Sequence, residues 1–277
     1  MHSEVDALEE AILPVETHSD AQHWKAKVEI KFETKRYEVG TVHNSIDLEK
    51  AFQLRDEVFR ETFPDLRVNL QQMDYLDPYA DILYVRHKQS GEIIACYRLL
   101  HSQLSPAFYS AEEFEISEFL AEPGSKLELS RACVAAEHRN GIVLHLLWKG
   151  IASYMECTRS QYLFGLSSVN HKDTQDIFHL YQFLKTNGYI GENFEIIPRK
   201  GYKFVNWYTI MESFIDDGPE TLPNNVPSLL HSYLRAGAKI YGAPAFDPYF
   251  HCTDLFTVLK YSDIAKGHSR KYLSQGA

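Results

Sequence analysis

The fold is decided by residues 127–155, which read LELSRACVAAEHRNGIVLHLLWKGIASYM from Leu127 to Met155. The stretch begins with the alternating pattern of a β-strand and ends with apolar residues at the three- and four-residue spacing of an amphipathic helix. A short polar turn, Glu137 to Gly141, joins the two. A helix that starts directly after a strand turns its free N–H groups and the positive end of its dipole toward that turn. The pattern therefore predicts a binding site for an anionic ligand, commonly a phosphate.

Two charged residues in the predicted strand decide whether it carries a second site. By strict alternation, Glu128 and Arg131 point to opposite faces of a sheet. They can share a site only if a β-bulge lies between them, and bulges are frequent beside active sites. A shared site here therefore requires a bulge between these two residues.

Composition and charge exclude several classes of protein. The chain has 277 residues and a hydrophobic content of 44%, which suits one globular domain with extensions. Its net charge of −10 and pI of about 5.7 argue against nucleic-acid binding, which requires a basic face. The 4 cysteines and the histidines show neither disulfide nor metal-ligand spacing, so we expect no metal. Without a signal peptide or a run of about 18 apolar residues, we expect a cytoplasmic protein.

The rest of the chain supplies the elements of an α/β protein. Strand, helix and hairpin patterns precede the central stretch, and a further strand, helices and a last strand follow it. The strand predicted at Tyr162 to Val169 comes after a helix and can therefore lie parallel to the strand that begins near Leu127. A helix is also predicted from Phe108 to Leu120, and a last strand from Leu255 to Leu259.

These patterns divide the chain into three parts. Residues 1–24 are acidic and are predicted to form a flexible N-terminal extension. Residues 25–214 are predicted to form the core domain, and residues 215–277 a C-terminal extension that completes the sheet with a helix and a final strand.

The central stretch resembles the acyl-donor pocket of the GNAT N-acyltransferase superfamily. The turn of that family usually reads Gln/Arg-x-x-Gly-x-Gly/Ala, and this chain reads His138-Arg139-Asn140-Gly141-Ile142-Val143. The strand Glu128-Leu129-Ser130-Arg131 is similar to the Glu-x-Ser-Arg strand of acyl-homoserine-lactone synthases. Further segments resemble the hemolysin-like branch, which includes ornithine acyl-ACP N-acyltransferases and long-chain N-acyl amino acid synthases: Cys133-Val134, Arg139-Asn140-Gly141 and Leu147-Trp148-Lys149-Gly150. The resemblance implies an α/β (α+β) GNAT fold, with a mixed, mostly antiparallel central sheet, a splayed parallel strand pair and flanking helices.

The resemblance also implies direct acyl transfer from a thioester. It makes Glu128 the general base, directly or through a water, and makes Arg131 the group that holds the acceptor's carboxylate. The alternatives are a solvent-facing Glu128 paired to a cation, and an Arg131 in a structural ion pair with Glu128 or Asp77. The implied donor-binding residues are Cys133, Val134, Arg139, Asn140 and Gly141. Their alternatives are an ordinary N-cap turn and, for the cysteine, a buried core position.

An ordered set of charged residues resembles the acceptor pocket of the acyl-homoserine-lactone synthases. Arg55 and Phe59 lie one helical turn apart and share a face, and Asp74, Asp77 and Arg98 follow them. Together they imply recognition of the ammonium and carboxylate of an amino acid, although each alone is more often a surface or loop charge. Two serines complete the predicted acceptor set, Ser130 and Ser167.

One departure from those synthases bears on the acceptor. The tryptophan that they carry between the two groups is missing, since residues 63–70 contain none. That absence argues against S-adenosylmethionine as the acceptor.

We therefore expect an N-acyltransferase that moves a medium- or long-chain fatty acyl group from acyl-ACP, or from acyl-CoA, to the amino group of an amino acid. The acyl carrier protein, through its phosphopantetheine arm, and an amino acid are the expected partners, and no separate cofactor is expected. A lipid product would bring the protein into peripheral contact with a membrane. The alternatives are an autoinducer-type synthase and a catalytically silent GNAT domain that serves as a binding module.

Overall fold

The computed structural model describes residues 24–64, 66, 68–139, 141–170, 174–207, 209 and 226–264. The strands are β1 (Lys31–Glu33), β2 (Tyr37–Thr41), β3 (Asp81–His87), β4 (Glu92–His101), β5 (Phe114–Glu115), β6 (Lys126–Val134), β7 (Tyr162–Val169), β8 (Ile197–Pro198), β9 (Lys239–Asp247) and β10 (Cys252–Lys260). The helices are α1 (Ser45–Thr62), α2 (Ser110–Glu113), α3 (Ser117–Ala121), α4 (Gly141–Thr158), α5 (Thr174–Thr186), α6 (Ser228–Ala236) and α7 (Tyr261–Ile264).

The main sheet has eight strands in the order β1-β2-β3-β4-β6-β7-β10-β9. Neighbouring strands are antiparallel except for β6 and β7, which are parallel and are joined by the crossover helix α4. The two remaining strands, β5 and β8, form a separate antiparallel pair. The predicted mixed, mostly antiparallel sheet with one parallel pair is confirmed.

The C-terminal part of the chain contributes two strands to this sheet rather than the one predicted. The last strand, β10, pairs with β7 along its whole length, so this part belongs to the same sheet as the central stretch. The missed strand, β9, lies at the sheet edge and contains Gly242, with a φ of 74°, and Pro244. An edge strand tolerates both residues, but in a sequence they are typical of a turn.

The helix predicted from Phe108 to Leu120 is wrong. The segment forms two short helices, α2 and α3, with the strand β5 between them. Phe114 adopts an extended conformation and pairs with Pro198 of β8. Its ring is buried in an aromatic cluster with Phe119 and Phe256, and this tertiary packing overrides the local helical pattern.

Helices cover both faces of the sheet. The apolar stripe of α4, including Val143 and Leu147, packs with Leu83 and Tyr233 on one face. Gly150 lies where α4 approaches β3, because a Cβ atom there would be 2.9 Å from a methyl group of Leu83. On the opposite face, α1 packs on β3, β4 and β6, and α2 and α3 cover β7 and β10. We call this second face, which carries α1 and α2, the site face.

Some predictions fall outside the described residues. The N-terminal extension does, apart from Trp24, whose indole N–H donates to the carbonyl of Val42. Asn140 also lies outside them. In the part of the chain that the structure describes, no helix combines the length and apolarity needed to cross a membrane.

Candidate active site beside the parallel strand pair

The β-bulge that a shared site requires is present in β6. Arg131 and Ala132 together oppose the single residue Tyr97 of β4, since the register shifts between the pairs Cys96–Cys133 and Arg98–Ser130. Arg131 has a φ of 54°, a left-handed conformation that is uncommon outside glycine. The bulge turns the side chain of Arg131 to the site face, where Glu128 also lies, so the condition for a shared site is met.

The parallel pair opens beside this bulge. Its ladder joins only residues 126–128 of β6 to 162–164 of β7, although β6 continues to Val134 and β7 to Val169. At the opening, Gly165 approaches the carbonyl of Leu129 so closely that a Cβ atom would lie 2.3 Å from the oxygen. Beyond this point the two strands are splayed, as the family resemblance implies, and this edge of β6 faces an opening instead of a neighbouring strand.

Glu128 is fully buried, so it is not the solvent-facing residue of the alternative interpretation. Its carboxylate accepts hydrogen bonds from the backbone N–H of Tyr109 (2.8 Å) and from the N–H (2.7 Å) and hydroxyl (2.5 Å) of Ser110. Burial raises the pKa of Glu128, while these hydrogen bonds and the charge of Arg98 oppose the rise. Glu128 therefore anchors the start of α2 and presents a carboxylate with a raised pKa to the site.

The charged residues predicted for the acceptor pocket form one connected group, the arginine–aspartate network. Arg55 donates to both oxygens of Asp77 at 3.2 and 3.1 Å, and to the carbonyls of Leu70 and Gln72. Burial alone would raise the pKa of Asp74. The guanidiniums of Arg98, Arg131 and Arg55 nevertheless hold this pKa well below its usual value. The members of the network are Arg55, Asp74, Asp77, Arg98 and Arg131.

Arg98 is the centre of this network. It donates to both oxygens of Asp74 at 2.7 and 2.6 Å and to Asp77 at 3.2 Å, and its Nε donates to the hydroxyl of Ser130 at 2.9 Å. Arg98 is fully buried, and such a charge is tolerated only when opposite charges surround it. The network therefore fixes the loop that carries both aspartates against β4.

Arg131 lies at the edge of the network and is less completely bonded. Its Nη2 is 3.4 Å from Asp74, so the ion pair forms with a different aspartate from the one considered in the sequence. Its guanidinium also lies over the ring of Tyr109, at 4.7 Å, and near Phe59 and Phe250. The buried Nε of Arg131 donates to no described group. A donor that remains unused at the edge of a cavity can bind a carboxylate.

A cavity of about 60 Å³ lies on the site face, and we call it the site cavity. Its walls combine polar groups from β6, β7, β9 and β10 with aromatic rings from α1 and two loops. The polar wall residues are Glu128, Ser130, Arg131, Ser168, Asp247, Cys252 and Asp254, and the aromatic ones are Phe59, Phe63, Tyr109 and Phe250.

Sequence analysis missed one wall of this cavity, formed by Asp247 and Asp254 with Glu113 nearby. We call these three residues the acid cluster. Asp254 accepts a hydrogen bond from the hydroxyl of Ser168 at 2.5 Å, and burial raises its pKa to about 6. Burial and the charges of Asp254 and Asp247 raise the pKa of Glu113 well above its usual value. An aspartate inside the apolar strand pattern of residues 252–260 was the one signal available in the sequence.

The side chains of Ser167 and Cys133 belong neither to the lining of the site cavity nor to the arginine–aspartate network. Ser167 was predicted to bind the acceptor, but it points to the opposite face, where its hydroxyl is 2.7 Å from that of Thr257. There it lines a separate, smaller cavity of about 20 Å³, while its neighbour Ser168 lines the site cavity. Cys133 is buried in the core, and its thiol donates to the carbonyl of Arg131, so a contact with the donor would have to use its backbone.

The remaining donor residues surround the start of α4. Arg139 donates to the carbonyl of Val134 at 3.1 Å and to Glu61 at 2.6 Å, and about half of its side chain remains exposed. Gly141 begins α4, and a Cβ atom at this position would meet open space. The helix start is therefore accessible at this residue.

The chain is similar to one family model, to curated relatives and to solved structures. Residues 54–149 match the model of the acetyltransferase (GNAT) domain. The chain is 24% identical to an L-ornithine N(alpha)-acyltransferase of Rhodobacter capsulatus, over 85% of this chain and 94% of the relative. It is 27% identical to an L-ornithine N(alpha)-acyltransferase of Agrobacterium fabrum, over 82% of each chain. Among solved structures, the N-acyl amino acid synthase FeeM from uncultured soil microbes matches with a TM-score of 0.45 and 10% identity, over 86% of this chain and 94% of FeeM.

The domain match and the curated relatives point to the same class of enzyme. The chain is an acyltransferase with a GNAT domain and a homologue of the L-ornithine N(alpha)-acyltransferases.

Proposed function

We propose that this enzyme transfers a medium- or long-chain fatty acyl group from acyl-ACP to the α-amine of an amino acid. The observation that carries the proposal is the bulge in β6, which places Arg131 and Glu128 on one face beside the open end of the parallel pair. A guanidinium with an unused donor suits a carboxylate, and a carboxylate with a raised pKa suits proton transfer from an ammonium. The relatives, which are named for N-acylation of L-ornithine, support an amino acid as the acceptor.

The reaction needs no covalent enzyme intermediate. The amine nitrogen attacks the thioester carbonyl, and a C–N bond forms as the C–S bond breaks. Glu128 accepts the proton that the amine loses, directly or through a water, and the sulfur leaves as the thiol of the pantetheine arm after taking up a proton. Arg131 holds the acceptor's carboxylate, so the amine is oriented toward the thioester.

The donor's arm is proposed to lie along the open edge of β6. Cys133 and Val134 would contribute backbone groups, and the phosphate would lie at the start of α4 near Arg139 and Gly141. In the turn before α4, His138 replaces the usual first residue of the GNAT motif. This departure favours the single phosphate of acyl-ACP over the pyrophosphate of acyl-CoA.

The test is a transfer assay on the purified full-length protein with matched acyl-ACP and acyl-CoA donors and a panel of amino acids, read by mass spectrometry. We expect an N-acyl amino acid with acyl-ACP and slower formation with acyl-CoA. Lipid extracts from cells that overproduce the protein should contain the same product. A homoserine lactone product would identify an autoinducer-type synthase, and no transfer with any donor would favour a binding module.

Two variants distinguish Glu128 as a general base from Glu128 as an anchor of α2. If Glu128 is the general base, Glu128→Gln should lower kcat by about 100-fold or more and flatten the acidic limb of the pH–rate profile. Ser110→Ala removes the hydrogen bond from the hydroxyl to Glu128 but keeps the carboxylate and both backbone N–H bonds, so it is the matched control. Equal losses of kcat in both variants, with unchanged pH profiles, would show that Glu128 only anchors α2.

A further inference from the structure

Three side chains at the joined ends of β9 and β10 place their ligand atoms together on the wall of the site cavity. Asp247 is the register partner of Cys252, and Asp254 follows Cys252 by two residues, so it lies on the same face of β10. One ligand atom from each residue lies within 4.8 Å of the other two. All three residues are buried and line the site cavity. We call Asp247, Cys252 and Asp254 the β9–β10 triad.

The two aspartates of the triad are buried without a cation beside them. Asp247 and Asp254 are each 2% exposed, and among the described residues no lysine or arginine forms an ion pair with either. The charge of Arg131 acts on Asp247. Its guanidinium, however, forms its ion pair with Asp74. Buried carboxylates repel each other strongly, so this pair must either share protons or bind a cation.

Glu113 of α2 provides a second, independent sign that a cation belongs at the triad. Its side chain is 1% exposed, and neither of its carboxylate oxygens is matched by a hydrogen-bond donor among the described residues. Its carboxyl is directed at Asp254 and lies within reach of the charge of Asp247. A buried carboxyl without donors is rare in folded proteins, and a cation held between Glu113 and the triad would satisfy it.

Hydrogen bonds orient the two aspartates and leave ligand atoms available. Oδ1 of Asp247 accepts from the backbone N–H groups of Tyr249 at 2.6 Å and Phe250 at 3.1 Å, and these bonds do not use its Oδ2. Oδ1 of Asp254 accepts from the hydroxyl of Ser168 at 2.5 Å. Outer hydrogen bonds of this kind fix the orientation of carboxylate ligands in metal sites. The triad is therefore already oriented for a metal ion.

Cys252 decides which class of cation fits the triad. Its thiol donates to Oδ2 of Asp254 at 3.6 Å, and burial, together with the neighbouring carboxylates, raises the pKa of this thiol. Without a metal ion the thiol is therefore protonated. A thiolate beside carboxylates is a ligand set that suits Zn²⁺, whereas Mg²⁺ and Ca²⁺ prefer oxygen ligands alone.

We propose that Asp247, Cys252 and Asp254 bind one Zn²⁺ ion, with Glu113 as the fourth ligand. The ion reaches the triad through the site cavity, which all three triad residues line. As the zinc–sulfur bond forms, the thiol of Cys252 loses its proton to solvent. The sequence predicts no metal here, because only the pairing of β9 with β10 and the position of α2 bring these ligands together. The site is independent of the proposed acyl transfer, whose steps do not pass through the ion.

The test measures metal binding to the untagged full-length protein after a chelator has removed all metal. Zn²⁺ and Mg²⁺ are titrated by isothermal titration calorimetry, and we expect one tightly bound Zn²⁺ per chain and no comparable binding of Mg²⁺. Asp254→Asn and Cys252→Ser should each weaken Zn²⁺ binding by about 100-fold or more, since even outer groups of a metal site contribute about 10–100-fold. Cys157→Ser changes an exposed cysteine outside the triad, so this matched control should bind Zn²⁺ as tightly as the wild type.

Co²⁺ shows whether sulfur is a ligand. The Co²⁺-loaded wild type and Cys157→Ser should show a sulfur-to-cobalt charge-transfer absorption that Cys252→Ser lacks. The proposal is overturned by less than one Zn²⁺ per chain in the wild type, by equal binding of Mg²⁺, or by unchanged binding in Asp254→Asn. It is also overturned if Cys252→Ser keeps the absorption or if the control loses it. Circular dichroism shows whether each variant is folded, and the wild-type titrations decide the question if a variant is not.

The bound ion should also stabilise the fold. It neutralises carboxylates that otherwise repel one another, so Zn²⁺ should raise the midpoint temperature of thermal unfolding of the wild type. Asp254→Asn should lose this increase, and an equal increase in that variant would place the ion elsewhere and overturn the proposal. The stability of the acid cluster without an ion is measured on the chelator-treated protein.

Discussion

Two charged clusters border the site cavity, the arginine–aspartate network through Arg131 and the acid cluster through Asp247 and Asp254, and they reach opposite results with similar residues. In the arginine–aspartate network, each buried aspartate contacts at least one guanidinium, and the pKa of Asp74 is held low. In the acid cluster, the buried carboxyls contact one another, and the pKa values of Asp254 and Glu113 are raised. The network pairs its aspartates with guanidiniums of its own, whereas the acid cluster has no such cation of its own among the described residues.

The difference separates structural from ligand-binding charges. Burial costs both clusters the hydration of their carboxylates, but only the network recovers that cost from its own residues. The network therefore contributes to the stability of the fold. The acid cluster reduces that stability while it is ionised and empty, and such a cost is typical of a site that a ligand completes.

The largest expected effect is a loss of stability on substitution in the arginine–aspartate network. Asp77→Asn leaves Arg55 without its ion pair and should lower the free energy of unfolding by about 3–5 kcal/mol, because an uncompensated buried charge remains. Chemical denaturation followed by circular dichroism measures the change. Lys88→Ala breaks an exposed ion pair with Glu33 and should leave the free energy of unfolding nearly unchanged. If Asp77→Asn is about as stable as wild type, the arginine–aspartate network does not contribute to stability as proposed, and it does not differ from the acid cluster in this respect.

The corresponding Asp→Asn substitution in the acid cluster should raise the free energy of unfolding instead of lowering it. The pKa of Asp254 is raised to about 6 in the folded state, above the value of about 3.9 for an unfolded aspartate. The folded state therefore binds this proton more tightly, and its stabilising effect is lost as the pH rises from about 4 through 6. Asp254→Asn should be about 1–3 kcal/mol more stable than wild type at pH 8, and the gain should shrink toward pH 4.

Thermal or chemical unfolding of both proteins between pH 4 and 8 checks this expectation. Only the difference between wild type and variant is interpreted, since other groups titrate in both. Glu113 and Asp247 face Asp254 and also have raised pKa values, so they can widen the pH interval. If Asp254→Asn is less stable than wild type at every pH, the ionised acid cluster does not destabilise the fold.

The smallest effect concerns the hydrogen bond that partly relieves the cluster. The hydroxyl of Ser168 donates to Asp254 and lowers the pKa of its carboxyl. Ser168→Ala should therefore raise that pKa further, by about one pH unit or less, and can be followed by carbon NMR of the carboxyl group. Ser167→Ala is the matched control, because Ser167 lies on the opposite face. A shift of equal size in both variants would show that the hydroxyl of Ser168 does not act on Asp254.

Much of the fold could be predicted from local patterns. The strand at Tyr162 to Val169 has the predicted ends. The helix α6 ends before Gly237, which has a φ of 100°. Periodicity and a glycine stop are properties of a few adjacent residues, so a sequence shows them directly. The segment 108–120 failed because its conformation depends on pairing with β8 and on the aromatic cluster.

The features of the site also divide into those identified from the sequence and those decided by the tertiary structure. Sequence resemblance identified the residues that form the arginine–aspartate network and the need for a bulge before Arg131 could join Glu128. The bulge arises from the pairing of β6 with β4. It also determines that the guanidinium of Arg131 contacts Asp74.

By itself, the amino-acid sequence determined the strand–turn–helix unit, because that unit depends on short-range pattern. The resemblance to a known family implied the class of the sheet and the charged residues of the arginine–aspartate network. Only the tertiary structure brought Glu113 from α2 together with Asp247 and Asp254 from β9 and β10. Each of the three is unremarkable in its own segment. Their repulsion and burial, and the access of Asp247 and Asp254 to the site cavity, arise only when distant strands and a helix meet.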